Sequence, residues 1–152
     1  MSQVLQTSAL FATSIGVFLG VWQLWRTKVQ SITAFEDQLA REYRQIAKDI
    51  PVDALLGKDI PARNFEKVRE QIFNYIDLSN EQVFLRQIGR VSKRTWEYWR
   101  EGIESNLSKP AFARVWSEVK DSDKDVFREL RMLEQKDSAS DPRKWDRQLL
   151  KV

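Results

Sequence analysis

The chain contains no cysteine and no histidine. The first absence excludes disulfides and thiolate nucleophiles. The second removes the commonest general base and the commonest neutral metal ligand. Zinc sites, serine–histidine triads and cysteine–histidine dyads therefore cannot be built from its own residues. No glycine-rich phosphate loop is present either. What chemistry remains is that of carboxylates and lysines. We expect no enzyme here: no catalytic residue, no metal and no cofactor.

Charge is also missing where it is most informative. The first 25 residues carry no charged side chain, and Arg26 and Lys28 follow at once. Residues 4–25 are mostly apolar, and as a helix they extend about 33 Å, against a hydrocarbon core of roughly 30 Å. A cleaved leader is a poor reading, because its cations should precede the apolar run and small residues should follow it. Here the run ends on Val21-Trp22-Gln23-Leu24-Trp25. A buried helix of a soluble core remains the other reading, since Gln6, Thr7, Ser8, Thr13, Ser14 and Gln23 dilute the segment. The length and flanks predict a transmembrane helix over 4–25. Arg26, Lys28, Arg41, Arg44 and Lys48 all lie behind it, so the N-terminus is expected outside and the rest in the cytoplasm of a single-pass inner-membrane protein. Trp22 and Trp25 would anchor the inner interface among membrane lipid. Ser8, Ala12, Gly16 and Gly20 recur every four residues, a spacing that lets helices approach closely. It predicts a homo-oligomer or a partner membrane protein.

Past Arg26 the apolar residues Val29, Ile32, Phe35, Leu39, Tyr43, Ile46 and Ile50 follow a helical period. We expect a juxtamembrane amphipathic helix over 26–50, ended by Pro51, and a connector over 51–61. A helical domain of about four helices should fill 62–136. Phe65, Val68, Ile72, Tyr75 or Ile76, Val83 or Phe84, and Ile88 mark its first helix, with Gly89 as stop. Ser92 caps the next, carrying Trp96, Trp99 and Ile103. Ser108 is expected to cap a third with Phe112, Val115, Trp116 and Val119. Asp121–Asp125 is expected to open a fourth with Val126, Phe127, Leu130 and Leu133. Residues 137–152 read as a polar tail in which Trp145 can dock back. No stretch alternates as a strand does, so the fold class is all-α.

The densest part runs from Phe73-Asn74-Tyr75-Ile76-Asp77-Leu78-Ser79-Asn80-Glu81-Gln82 through Gly89-Arg90 to Trp96 and Trp99. Over about residues 65–120 it resembles an uncharacterised family of small bacterial membrane proteins. These pair an N-terminal transmembrane helix with a cytoplasmic helical domain of unknown function. The resemblance implies fold and location and no activity.

Asp77 and Glu81 share a helix face, but with no histidine nearby the central polar groups are better read as inter-helix hydrogen bonds and caps. Arg86, Arg90, Lys93 and Arg94 put four cations beside the helix start at Ser92. They form the candidate site for an anionic ligand, a lipid headgroup, phosphate or nucleotide. The other reading is that Arg86 and Arg90 complement a helix C-terminus and are solvated. Trp96, Tyr98, Trp99 and Trp116 are most simply core, and a base-stacking platform is the sharper alternative. A net charge of +3 does not predict duplex nucleic-acid binding. Asp121, Asp123 and Asp125 lack the glycine and glutamate of a calcium loop. Two functions follow: a membrane-anchored interaction or regulatory protein, or an oligomeric effector gated by an anionic ligand.

Overall fold

The computed structural model describes residues 2–122, 124–136 and 140–145, with side chains from residue 18 onward. Among the described residues the chain is all-helical, with no strand. It divides into two units, Met1–Asp37 and Gln38–Val152.

The first unit is the leading part of helix α1 (Ser2–Asp49). Phe18, Leu19, Val21, Trp22, Leu24 and Trp25 are all exposed. At 100° per residue they point in every direction but those of Gly20 and Gln23. The Arg26 guanidinium lies over the Trp22 ring, 5.2 Å from its centroid. Thr27 and Thr33 turn their hydroxyls onto the carbonyls of Gln23 and Val29, which satisfies these donors within the helix. Of the expected span 4–25, the side chains of residues 4–17 lie outside the described residues, Ser8, Ala12 and Gly16 among them. Among the described residues no helix is long and apolar enough to cross a membrane.

The second unit begins on the last turns of α1, which bury Leu39 and end before Pro51 with Ile50 also buried. The connector is not featureless: it holds α2 (Val52–Leu55), which buries Ala54. Then come α3 (Ala62–Gln87), α4 (Lys93–Leu107), α5 (Pro110–Ser122), α6 (Arg128–Gln135) and a single 3-10 turn, Pro142–Lys144. Helix α3 is the axis against which α4, α5, α6 and the 3-10 turn pack. Its apolar period explains this: Phe65, Val68, Ile72, Ile76 and Val83 are buried along one stripe. Trp96, Ile103, Phe112, Val115, Trp116, Leu130 and Leu133 face it from the other helices.

Helix ends follow local chemistry. Gly89 takes φ +77°, and the Gly89 and Arg90 N–H groups donate to the Arg86 and Leu85 carbonyls. This paired closure of α3 needs a left-handed residue. Gly57 ends α2 in the same way at φ +75°. Ser92 caps α4 by accepting from the Thr95 N–H at 3.2 Å.

Two expected starts are corrected. Ser108 does not cap α5; its hydroxyl donates back to the Ser105 carbonyl. Helix α5 opens instead on Pro110, where a missing N–H is no loss. Asp121 belongs to the end of α5, not to the start of a helix; Asp123 lies outside the described residues. Helix α6 begins only after Phe127, which sits at φ 55° in the left-handed region. Phe127 is held there by burial and by its contact with Phe73, 5.3 Å between centroids. Arg131 closes this corner by donating to the carbonyls of Val119, Lys120 and Val126.

Candidate functional site

The structure does not bring the four candidate anion-binding cations together. Arg86 points inward: its side chain is 4% exposed and pairs with Asp141. Arg86 Nε and Nη2 donate to the two Asp141 carboxylate oxygens at 2.8 and 2.6 Å, and Nη1 donates to the Val91 carbonyl at 2.8 Å. Each of its three nitrogens is engaged within the fold, and it leaves the candidate set. Lys93 pairs with Glu97 at 3.4 Å on the surface. Arg90 and Arg94 are exposed on the chain around that helix start.

The Asp141 carboxyl is held below the usual carboxylate range. Its hydrogen bonds from Arg86 act first, opposed by burial, with further help from the Arg143 N–H and the charges of Arg86 and Lys144. The tail segment is thereby fastened to the domain. Pro142 and Trp145 are buried, and the Trp145 indole donates to Ser140 at 3.0 Å. Nothing in the spacing of Arg86 and Asp141, 55 positions apart, announces this pair.

The central polar run serves the helices. Asn80 Oδ1 accepts from the Leu130 N–H at 3.0 Å, which caps α6 from α3. Ser79 donates to the Tyr75 carbonyl at 2.8 Å. Asp77 and Glu81 are exposed. The Glu81 carboxyl is pushed up by partial burial first, then by the nearby charges of Glu42 and Asp77. Among the described residues no group of three acidic side chains could hold a metal ion.

A different site emerges from the aromatic residues. Trp96 and Trp116 are core, but Tyr98 is 77% exposed and Trp99 half-buried, which corrects their expected burial. They line a groove of about 540 Å³ between the end of α1, α3 and α4. Tyr43 and Arg44 enter it from α1; Tyr75 and Gln82, two turns apart on one face, enter from α3. Glu101 and Gly102 complete the α4 side.

Tyr75 is the floor. Its ring meets Tyr43 edge-on at 6.0 Å and Phe112 at 5.2 Å. Its hydroxyl accepts from Asn106 Nδ2 at 2.9 Å and donates to the Gly102 carbonyl at 3.4 Å. Lys109 in turn donates to Asn106 Oδ1, which fixes the amide. Burial pushes the Tyr75 phenol up to about 12, so it stays neutral at any physiological pH.

Gln82 differs from Tyr75. It is 4% exposed and lines the groove; its carboxamide makes no hydrogen bond to the described residues and is open to the groove's water, unlike the shielded Oε1 atoms of Gln71 and Gln87, which are without a partner. Arg44 and Glu101 have no ion partner within 4 Å among them either. The arrangement is a concave aromatic site with one buried amide and one charge of each sign, typical of a binding site.

Gly102 leaves room in this wall. A Cβ placed there meets no other atom within 4 Å. Gly102→Ala is therefore expected to stabilise the chain by about 0.5–1 kcal/mol, the helix-interior preference of alanine over glycine. A thermal melt that moves down instead would show that the wall needs the glycine.

No family model, no curated protein and no solved structure matches the chain.

Proposed function

We propose that the chain is a membrane-anchored, non-enzymatic interaction or regulatory protein that acts through its second helical unit. One observation carries the anchor. Large apolar side chains, Phe18 to Trp25, stand exposed around α1 and are followed directly by Arg26. Water disfavours such a band, at about 25 cal/mol per Å² of apolar surface, whereas a bilayer accommodates it. The charge-free sequence before it extends the band to a spanning length. The cations behind it favour a cytoplasmic second unit at the plasma membrane. Small residues in register, with Gly20 open to approach, favour company in the membrane.

The test is fractionation. The full chain should stay with membranes through an alkaline wash, and a chain lacking residues 1–25 should not. A full chain recovered in the wash would sink the anchor. Orientation can be read cleanly because the chain has no cysteine. In intact spheroplasts, Ser2→Cys should react with an impermeant maleimide and Lys151→Cys should not. The reverse pattern would invert the topology.

A further inference from the structure

We propose that the groove between α1, α3 and α4 binds an adenine nucleotide carrying a single phosphate, the base lying against Tyr98 and Trp99 with its polar edge on the Gln82 carboxamide. A polar side chain that lines a groove without a protein partner keeps its hydrogen-bonding groups for water or a ligand. Gln82 is buried, lacks a protein partner and lines a groove. A carboxamide presents one donor and one acceptor side by side in a plane. Adenine returns that pattern with its N6 amino group and an adjacent ring nitrogen.

The walls suit the flat faces of the same ligand. Tyr98 is far more exposed than its neighbours in the core, and Trp99 is half-buried beside it. Aromatic side chains left open in a concave site are stacking surfaces for a base. The polar rim accounts for the rest. Arg44 is the one cation among the lining residues and suits one phosphate. Glu101 can accept hydrogen bonds from ribose hydroxyls, as carboxylates do in dinucleotide sites. With a carboxylate present and no second cation, a triphosphate would be repelled. The groove, about 540 Å³, lies within the usual range for small-molecule sites.

The experiment is calorimetric titration of the full chain in detergent micelles with AMP, adenosine, ATP and ribose 5-phosphate. AMP should bind saturably and more tightly than ATP or ribose 5-phosphate. Gln82→Leu and Trp99→Ala should each weaken AMP on the order of tenfold. Arg44→Gln lies on the exposed rim and should fold normally; it should weaken AMP and leave adenosine unchanged. No heat of binding with AMP at millimolar concentration would overturn the proposal. So would ribose 5-phosphate binding as well as AMP, or full AMP affinity in folded Gln82→Leu. Groove binding is read independently of membrane attachment, which fractionation reports by itself.

Discussion

Asp141→Ala should lower the stability of the second unit by about 3–5 kcal/mol, the loss seen when one partner of a buried ion pair is removed. The reason is what it leaves behind. Arg86 is nearly inaccessible, and Asp141 takes both arms of its fork. Without that carboxylate a guanidinium remains buried, with only the Val91 carbonyl as a partner. Arg86→Met should cost less, because it removes the buried charge and frees an Asp141 that retains some access to water. Urea denaturation followed by tryptophan fluorescence would rank them. Equal loss for both variants would mean that packing of the 3-10 turn, rather than the buried charge, dominates.

The same pair gives a signed pH dependence. The Asp141 carboxyl titrates below its unfolded value of 3.8. Its contribution is therefore fully present above about pH 4 and is lost as pH falls through the lower folded value. Wild type and Asp141→Asn should converge in stability in acid and separate above it. A constant gap at all pH values would remove the carboxylate's charge from the explanation.

Phe112→Ala should destabilise by about 3–5 kcal/mol, the range for emptying a fully buried phenylalanine site. Phe112 has no exposed surface, and its ring supports Tyr75 edge-on at 5.2 Å. The cavity would open directly beneath the groove floor. Phe112→Leu should recover much of the stability, since volume is largely kept. A loss below about 1 kcal/mol in Phe112→Ala would show that Tyr75 and its neighbours collapse into the space.

Much of the helical frame was legible in the sequence, for local reasons. The buried stripe of α3 recurs at helical spacing, and Gly89 and Ser92 carry their end signals in their own chemistry. The errors fell where one side chain had two possible partners. Ser108 has the side chain of a cap, yet its hydroxyl turns back to the Ser105 carbonyl and α5 opens on Pro110, two residues on. Asp121 looked like a helix opening, but α5 runs on to Ser122 and Arg131 holds its last carbonyls. Arg86 could not be told apart from Arg90, Lys93 and Arg94, because four nearby basic residues look alike on paper. Only the tail's Asp141 separates Arg86 from the rest. The groove was visible in part: Tyr98 is one step from Trp99 and so points about 100° away from it. Two adjacent aromatics on an amphipathic helix cannot both be central to one core. The isolation of Gln82 had no signal in sequence, since a missing partner is a property of three helices at once.

The bond from the Leu130 N–H to Asn80 has a consequence for the order in which the domain assembles. Helix α6 is eight residues long, too short to persist alone in water. Its first turn is closed by a side chain 50 positions earlier in the chain. Until α3 has formed and presents Asn80, α6 has no nucleus. Any local opening of α3 around Asn80 then releases α6 as well. The two helices should therefore exchange their amide protons as one cooperative unit, and a short helix would report the integrity of the long one that closes it.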